Sequence, residues 1–357
     1  MEKSTHILMT GGGTLGPVTP LFGLVAEWRR RDPLVKVSWI GTPNGPEKSL
    51  VLSHNATFYP LLAPKLARNK KWTWIAIVPV FLFSCVKAFI LLRTIKPDIV
   101  FTAGGYVSVP VVWMAFILRI PSWAHQLDVK PGIANRLMAP FTRRVSVCWQ
   151  ESASAFSKNK TVVVGGMVRD DISNGSKERI IRLLDLDSSK PTLLVIGGGT
   201  GATAMNNAMN AIADDLVQHI NVIHLTGKGK MIDSLREKGR GYVALEFLSS
   251  DMKDAYAVAD LVVARAGMGT ITELAALKKA SIMIPIPNSH QLENAHALDD
   301  RNASEVIWNM NPQILKQTIL NLINDDNRRS ELGRNIARIF PLNAAERIVD
   351  DAINIAL

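Results

Sequence analysis

Short apolar runs rich in β-forming residues alternate with stretches of helical spacing along the whole chain, and this alternation restricts the fold more than any other feature. Glycine-containing turns follow several of these runs, and a helical pattern comes next, as in residues 204–220. Repeated strand, turn and helix units return to one sheet through right-handed crossovers, so the pattern predicts parallel sheets covered by helices. The predicted strands lie in HILM (6–9), VKVSWIG (35–41), DIVFTAG (98–104), TLLVIGG (192–198), NVIHLTG (221–227), LVVARAG (261–267) and SIMIPIP (281–287).

The length predicts more than one domain. A chain of 357 residues exceeds the size at which single hydrophobic cores stop growing, and the strand pattern restarts near Pro191 with a second glycine-rich loop. We therefore expect an α/β protein with two Rossmann-like domains. The N-terminal domain is expected over residues 1–165 and the C-terminal domain over residues 166–340, with a last helix, 341–357, that returns to the N-terminal domain.

Positive charge is concentrated in the N-terminal half. Residues 1–160 hold 20 lysines and arginines against 7 aspartates and glutamates, so they carry +13, whereas the whole chain carries +10. This asymmetry predicts an anionic partner, either nucleic acid or a phospholipid surface with phosphate-bearing substrates; a basic surface without such a partner is the alternative. Because no recognition motif for nucleic acid accompanies the basic half, we expect no nucleic-acid partner.

The cysteines and the N-terminus indicate the compartment. Cys85 and Cys148 are the two cysteines of the chain and lack metal-like spacing, which excludes a disulfide framework and favours a reducing compartment. Residues 1–20 lack the long apolar stretch and the cleavage site of a signal peptide. The sequence therefore predicts a cytoplasmic protein.

An almost wholly apolar run extends from Ile75 to Leu92 and follows a basic stretch that contains tryptophans. Basic side chains attract anionic headgroups, indole rings favour the membrane boundary and aliphatic side chains favour the acyl region, so this order is typical of an interfacial segment. A buried core helix and a membrane-spanning helix are the alternatives. We expect docking on an anionic membrane surface through Lys70, Lys71, Trp72 and Trp74.

Two glycine loops, residues 9–20 and 195–208, follow predicted strands and precede predicted helices. Glycines let the backbone approach a ligand closely, and the following helix start favours an anion, so each loop is a candidate phosphate cradle; a tight strand-to-helix turn is the purely structural alternative. The first unit has no acidic residue at the end of its next strand, and the chain contains no GxxxxGK[ST] motif. A dinucleotide site and a P-loop are therefore not predicted.

A third loop, residues 264–277, places Thr270, Thr272 and Glu273 at the start of a helix. The segment 285–298 adds His290, Gln291 and Asn294 after the next strand. One carboxylate among neutral hydrogen-bonding groups suits sugar hydroxyls and a ribose, although Glu273 alone would also stabilise a helix start.

Six motifs in this chain stand in the order and spacing of a known family. They are TGGGTLGPVTP (10–20), TAGGYVSVP (102–110), GGGTGATAMN (197–206), LTGKG (225–229), RAGMGTITELAAL (265–277) and HQLENA (290–295). From about residue 7 to residue 310 the chain resembles the MurG family, the lipid I N-acetylglucosaminyltransferases of peptidoglycan synthesis. The resemblance implies a GT-B fold, in which two Rossmann-like domains with parallel sheets face each other across a cleft.

The resemblance also implies a reaction. UDP-N-acetylglucosamine is the expected donor and a polyprenyl-pyrophosphate-linked sugar the expected acceptor. Transfer would proceed with inversion and without a metal or another cofactor, by a peripheral protein on the cytoplasmic face of the cell membrane.

The resemblance also implies roles for the residues that match the family motifs. Arg169 and the second glycine loop would face the donor diphosphate, and Glu273 the ribose hydroxyls. The expected donor-binding residues are Arg169, Gly198, Gly199, Thr200, Gly201, Ala202, Phe247, Leu248, Thr270, Glu273, His290 and Gln291. The expected acceptor-binding residues are Thr14, Gly16, Gly104, Gly105 and Tyr106.

The chain departs from the family pattern where catalysis is expected. Pro17 occupies the position of the family histidine that is a leading candidate for the catalytic base, and the family's HEQN is HQLD here, with Gln126 and Asp128 at the changed positions. An inverting transfer needs a base for the acceptor hydroxyl, and His125 and Asp128 are the titratable groups in the matching loop. We hypothesise that Asp128 supplies this base.

Three functions are compatible with these features. The first is transfer of N-acetylglucosamine to a polyprenyl-linked acceptor, and the second is a related transfer to another glycolipid or envelope precursor. The third is a UDP-sugar-binding protein with impaired catalysis, which the loss of an ionisable group at Pro17 would permit.

Overall fold

The structure is a computed structural model that describes residues 4–65, 74–169, 171–197, 203–248, 251–341 and 343–356. The chain divides into two compact units: unit 1 contains residues 1–167 and 341–357, and unit 2 contains residues 168–340. Each unit contains one sheet, and every described strand pair in both sheets is parallel. The predicted α/β class with two Rossmann-like units is confirmed.

Unit 1 is built on a seven-stranded sheet. Its strands are β1 (His6–Thr10), β2 (Lys36–Gly41), β3 (Thr57–Pro60), β4 (Ile99–Thr102), β5 (Ser122–Gln126), β6 (Arg144–Val147) and β7 (Thr161–Val163). Its α-helices are α1 (Thr19–Arg31), α2 (Glu47–Ser53), α3 (Trp74–Ile95), α4 (Ser108–Ile117) and α5 (Ile133–Met138). Short 3-10 helices cover Ala139–Phe141, Gln150–Ala155 and Lys158–Lys160.

Unit 2 is built on a six-stranded sheet. Its helices before and between the first strands are α6 (Lys177–Leu183), α7 (Thr203–Leu216), α8 (Asp233–Arg236) and α9 (Met252–Val258). Its strands are β8 (Thr192–Ile196), β9 (Asn221–Leu225), β10 (Tyr242–Leu245), β11 (Leu261–Ala264), β12 (Ser281–Met283) and β13 (Glu305–Val306). The remaining helices are α10 (Met268–Leu277), α11 (Gln291–Asp299), α12 (Pro312–Ile323) and α13 (Asp326–Ala337).

The two sheets share one strand order. Unit 1 runs β3-β2-β1-β4-β5-β6-β7 and unit 2 runs β10-β9-β8-β11-β12-β13. In each sheet the chain first proceeds outward from the central strand on one side and then crosses to the other side. This reversal leaves a crevice at the carboxyl ends of the two central strands, which is where α/β proteins of this topology bind ligands.

Helix α3 has two different faces. Ala88, Leu92 and Ile95 are buried in a core shared with β1, β2, β4 and α4. On the other face, five large apolar side chains are each 55–60% exposed; they are Val78, Leu82, Phe83, Val86 and Ile90. Among the described residues, one helical stretch, Ile77–Ile95, is long and apolar enough to cross a membrane, and 17% of its most apolar window is buried.

The last helix of the chain, α14 (Ala344–Ala356), packs on α1 in unit 1. Arg31 of α1 forms an ion pair with Asp350, and Arg144 Nε at the start of β6 lies 3.1 Å from Asp351 Oδ2. Both ion pairs therefore attach the C-terminal helix to residues of the first half of the chain.

Candidate active site

The sequence-predicted site residues follow the central strands of the two sheets. Residues 11–16 follow β1 and residues 103–106 follow β4, its neighbour in unit 1. In unit 2, Arg265 and Gly267 of the third loop follow β11, which pairs with β8. Both groups of residues therefore lie at the switch point of their own sheet, where parallel strands present a ligand crevice.

Two side chains of unit 2, Arg169 and Tyr256, contact the Glu273 carboxylate on α10. Arg169 Nε and Nη2 both lie 3.1 Å from Glu273 Oε1, and the Tyr256 hydroxyl donates to Glu273 Oε2 at 2.9 Å. The Tyr256 side chain is fully buried, whereas Arg169 and Glu273 remain partly accessible. Arg169 is expected to contact the diphosphate and Glu273 the ribose. These two side chains are neighbours, and the phosphate and ribose of a nucleotide are also adjacent.

Burial dominates the electrostatics of this cluster. Desolvation raises the pKa of the Glu273 carboxyl, and the positive charge of Arg169 and the Tyr256 hydrogen bond oppose that rise. Burial, with the nearby Glu273 charge, raises the Tyr256 pKa well above its usual value, so the phenol keeps its proton and acts as a donor. The carboxylate is accordingly oriented by one fixed donor and one cation.

The loops that precede α10 and α11 are joined by side chain to backbone bonds. Arg265 Nη1 donates to the carbonyl oxygens of Ile284 at 3.0 Å and Pro285 at 3.3 Å, and burial lowers the pKa of its guanidinium. The buried Asn294 amide donates to the Ala266 carbonyl at 3.1 Å. These bonds hold the two loops side by side at the carboxyl edge of the sheet.

His290 and Gln291 lie at the start of α11. His290 is exposed at the N-cap, and the Gln291 side-chain oxygen accepts from the backbone N–H of Ile286 at 3.1 Å. A Cβ on Gly267, the N-cap of α10, would lie 3.7 Å from the Gln291 side-chain nitrogen. The amide of Gln291 is therefore next to the start of the helix that carries Glu273.

The other expected donor residues are more scattered. Thr270 is half-buried in the first turn of α10, while Phe247 and Leu248 follow β10, two strands away from β8. The Phe247 side chain is 69% exposed, so its expected role rests on its backbone. Gly198, Gly199, Thr200, Gly201 and Ala202 lie outside the described residues.

The two acceptor-side loops of unit 1 pack closely against each other. Gly13, Gly104 and Gly105 have φ values of 83°, 109° and 94°, a region that favours glycine. A Cβ on Gly105 would lie 3.1 Å from the Gly12 carbonyl oxygen. The Tyr106 ring lies over Gly13, where a Cβ would come within 2.7 Å of the ring.

Thr14 and Gly16 form the accessible part of the first loop. Both are exposed, and a Cβ on Gly16 would meet Thr14 Oγ1 at 3.9 Å as its nearest described neighbour. The expected acceptor residues Thr14, Gly16, Gly104, Gly105 and Tyr106 therefore cluster at one edge of the unit 1 sheet.

The two base candidates occupy different environments. His125 is 1% exposed on β5, and its ring nitrogens contact Ser146 Oγ at 2.8 Å and Cys148 Sγ at 3.3 Å. Burial lowers the pKa of His125 to about 3, and its ring joins β5 to β6. This geometry argues against His125 as the base. Asp128 is half-buried beyond the carboxyl end of β5, the neighbour of β4.

Three residues that the sequence did not indicate also contact these loops. Tyr256 orients Glu273, Arg265 joins two donor-side loops, and the Glu47 carboxylate contacts the first glycine loop. Arg265 stands inside a quoted motif, but Tyr256 and Glu47 lie in ordinary helical sequence. Only the fold brings them to the site.

Of the expected membrane-contact residues, Lys70, Lys71 and Trp72 lie outside the described residues. Trp74 begins α3, and its side chain is outside the described part of the chain. The exposed apolar face of α3 directly follows this stretch in sequence.

Comparison with known proteins bears on both units. The glycosyltransferase family 28 N-terminal domain matches residues 7–147, and the glycosyltransferase family 28 C-terminal domain matches residues 192–348. A relative from Clostridium perfringens, named UDP-N-acetylglucosamine--N-acetylmuramyl-(pentapeptide) pyrophosphoryl-undecaprenol N-acetylglucosamine transferase, is 33% identical over 98% of each chain. The chain belongs to the MurG family.

A second MurG-family relative with the same name, from Lachnospira eligens, is 34% identical over 89% of this chain and 91% of its own. The crystal structure of Acinetobacter baumannii MurG superimposes with a TM-score of 0.76 and covers 98% of this chain and 99% of its own, at 24% sequence identity. The GT-B prediction is thereby confirmed.

The first loop contains Pro17, one of several positions at which this chain differs from the pattern expected from its resemblance to the family. Pro17 is half-buried, and a Cβ on Gly105 would lie 3.8 Å from its ring. The proline therefore packs between the two acceptor-side loops and supplies neither a proton donor nor an acceptor on its side chain.

Proposed function

We propose that this protein transfers N-acetylglucosamine from UDP-N-acetylglucosamine to a polyprenyl-pyrophosphate-linked sugar, with inversion and without a metal, as in the conversion of lipid I to lipid II. The full-length relationship to transferases whose names state this donor and acceptor carries the proposal. Because N-acetylglucosamine is a hexose derivative, the protein is a hexosyltransferase. The cluster of Arg169, Tyr256 and Glu273 at the unit 2 switch point supports the donor assignment.

On the donor side, we assign Glu273 to the ribose hydroxyls and Arg169 to the diphosphate. A carboxylate accepts from two neighbouring hydroxyls at once, and its charge strengthens both hydrogen bonds. Arg169 would stabilise the negative charge that develops on the departing diphosphate, because a guanidinium keeps its charge and offers several donors. His290 and Gln291 lie at the next helix start and are assigned to the sugar hydroxyls.

For the base we retain Asp128. Its position beyond β5 lies at the same sheet edge as the glycine loops that follow β1 and β4. A carboxylate there would take the proton of the acceptor hydroxyl while its oxygen attacks the anomeric carbon and the diphosphate leaves from the opposite face. His125 is not proposed, because both ring nitrogens have buried partners.

A related acceptor is the second candidate. Pro17 lies in the first acceptor-side loop and faces Gly105 of the second, so one of the residues that differ from the expected family pattern is in the part of the site that would read the acceptor. A different glycolipid or envelope precursor would be accepted if this loop has changed its specificity along with the base.

We further propose peripheral docking on the cytoplasmic face of an anionic membrane. The exposed face of α3 (Val78, Leu82, Phe83, Val86 and Ile90) is the apolar surface for this contact, and the basic excess of residues 1–160 provides the attraction. Its other face belongs to the core of unit 1, so removing the helix into a bilayer would expose that core. We therefore favour docking over spanning.

The test incubates the purified protein with UDP-N-acetylglucosamine and lipid I in mixed micelles, and measures UDP release and the mass of the lipid product. Release of UDP together with a lipid heavier by one N-acetylhexosamine supports the first candidate. Release only with a different lipid extract supports the second.

Binding of the donor without release in any extract would contradict a transferase and favour a UDP-sugar-binding protein. Lipid I incubated with UDP-glucose serves as the control for donor identity. Sedimentation with anionic vesicles at low and high salt tests docking, because an electrostatic contact weakens as the Debye length shortens.

A further inference from the structure

Glu47, the first residue of α2, has a fully buried side chain next to the first glycine loop. Its Oε1 accepts from the backbone N–H of Thr42 at 2.7 Å and from the Thr42 hydroxyl at 2.5 Å. Both carboxylate oxygens also face the backbone N–H of Gly13, at 3.3 and 3.4 Å. A buried carboxylate thus joins the loop after β2 to the loop after β1.

The space around this carboxylate is lined by glycines. A Cβ on Gly12 would lie 2.0 Å from Glu47 Oε1, and a Cβ on Gly45 would lie 2.0 Å from Oε2. Both distances are far below any van der Waals contact, so neither position admits a side chain while the carboxylate keeps its place. Glycine at Gly12 is therefore required by the protein's own carboxylate.

The same arrangement continues to the second acceptor-side loop. The Gly13 amide that faces Glu47 belongs to the residue beneath the Tyr106 ring, and the backbone of Gly105 lies against Gly12. Burial, and after it the negative charge of Glu47, raises the pKa of the Tyr106 phenol. Beyond Gly13 the loop becomes accessible at Thr14 and Gly16.

We propose that Glu47 is a positioning residue for acceptor binding, which holds the backbone of Gly13 so that Thr14 and Gly16 present a fixed surface to the acceptor diphosphate. Backbone N–H donors are held more firmly by a charged acceptor than by a neutral one, so the charge itself matters. This inference rests on the proposed transfer to a pyrophosphate-linked acceptor. It assigns Glu47 no contact with the acceptor.

The first test is Glu47→Gln, which keeps the shape of the side chain and removes its charge. We expect the acceptor KM to rise about fivefold, the difference between a charged and a neutral hydrogen bond, and the donor KM to stay unchanged. Glu151→Gln makes the same chemical change on an exposed glutamate of unit 1 and should leave both constants unchanged. Hydrogen exchange at the Gly13 amide should also become faster in Glu47→Gln alone.

The second test displaces the carboxylate without removing it. Gly45→Ala would place a methyl group on Glu47 Oε2, and we expect the same selective rise in acceptor KM. Gly239→Ala is the matched control, because a Cβ there has no described neighbour within 4 Å. Glu47→Gln and Gly45→Ala both act through the Glu47 carboxylate, so a positioning role predicts the same rise in acceptor KM for both. A general loss of stability would instead lower the fraction of active protein and leave KM unchanged.

The outcomes separate this inference from the proposed function. Equal acceptor KM values for wild type, Glu47→Gln and Gly45→Ala in an active preparation would overturn the positioning role and leave the transferase intact. Absence of transfer by wild type with every pyrophosphate-linked lipid would overturn the proposed function itself. A rise in both donor and acceptor KM would also count against the inference, because the donor site belongs to unit 2.

Discussion

The two units share a strand order but differ in what they place at the switch point. Unit 2 presents charged and polar side chains, with Arg169 and Tyr256 arranged around the Glu273 carboxylate. Unit 1 presents glycine backbone in its first loop and in the loop after β4, with Glu47 buried beneath the first loop and the half-buried Asp128 beyond β5. Unit 1 also carries the exposed apolar face of α3 and the excess of basic residues.

On the proposed function, one topology would serve two kinds of ligand. A soluble nucleotide-sugar offers hydroxyls and a ribose that side chains can distinguish, so donor specificity would depend on a few directed hydrogen bonds in unit 2. A lipid-linked diphosphate offers charge and a membrane anchor, which backbone N–H groups, basic residues and an apolar helix face suit better. The predictions below test whether each function belongs to its unit.

The largest expected effect is on kcat and concerns Asp128, the proposed base in unit 1. Asp128→Asn removes the proposed base, and we expect kcat to fall by about 10²- to 10⁴-fold with donor affinity unchanged. Single-turnover transfer and UDP titration measure the two quantities. Asp185→Asn, an exposed carboxylate in unit 2, is the control. Full turnover by Asp128→Asn would reject Asp128 as the base.

The next effect tests the donor assignment of unit 2. Glu273→Gln removes the charge that strengthens two hydrogen bonds to the ribose, so we expect kcat/KM for the donor to fall roughly 30- to 100-fold. Steady-state kinetics with saturating acceptor provide the measurement, and Glu237→Gln on an exposed surface provides the control. An unchanged donor constant would mean that the ribose is bound elsewhere.

A smaller effect concerns the exposed apolar face of α3 in unit 1. Leu82→Glu introduces a charge into the exposed face of α3 and removes one leucine from the contact, so binding to anionic vesicles should weaken about 20- to 30-fold. Vesicle sedimentation measures the loss. Leu34→Glu alters a leucine of unit 1 that is even more exposed than Leu82 and lies outside α3, so this variant should bind like wild type. Equal loss in both variants would contradict docking through α3.

The smallest expected effect refines the donor site. Tyr256→Phe removes one hydrogen bond to Glu273, and we expect donor affinity at neutral pH to fall about three- to tenfold. The Tyr256 hydrogen bond lowers the Glu273 pKa, which burial has raised above 4.5, so its loss raises that pKa further. Donor binding needs the carboxylate and is lost as the pH falls, so the loss should begin at a higher pH in Tyr256→Phe.

A titration of UDP affinity between about pH 4.5 and 7 checks this shift, because the window lies above the ordinary pKa of a glutamate, where a raised pKa would be seen. Tyr242→Phe is the matched control, because it removes another buried hydroxyl bond of unit 2, to His224, that does not involve Glu273. The same pH profile in wild type and Tyr256→Phe would exclude an orienting role for Tyr256.

The strands that the sequence predicted are those with continuous apolar runs. All seven predicted runs coincide with strands, among them β1, β4, β8 and β11, which form the two switch points. Among the described strands, six lie outside the predicted runs: β3, β5, β6, β7, β10 and β13. In β5, SWAHQ contains buried polar side chains and therefore lacks the apolar run of a predicted strand. Trp123 Nε1 and the His125 ring both bond Ser146 Oγ of β6, and that compensation becomes visible only when the strands are paired.

Among the candidate site residues, the described glycines and motif residues were placed by the sequence, because they follow the ends of strands; their binding roles stay predictions. Glu47 and Tyr256 were not placed by it, since nothing in a helical sequence distinguishes a buried functional carboxylate or phenol from an ordinary surface or core residue. His125 shows the reverse case. It stands in a motif, but its burial on β5 identifies it as part of the core.

The sequence by itself determined the α/β alternation, the two glycine-bearing halves, the concentration of positive charge and the apolar segment that becomes α3, because periodicity and composition act locally along the chain. The tertiary structure decided which side chains meet. Arg169 and Glu273 are 104 positions apart, and Glu47 and Gly13 are 34 positions apart. Glu47 follows β2 and Gly13 follows β1, and because these parallel strands are neighbours their carboxyl ends bring the two residues together. Arg169 precedes the first strand of unit 2, and its contact with Glu273 on α10 depends on the folding of that unit.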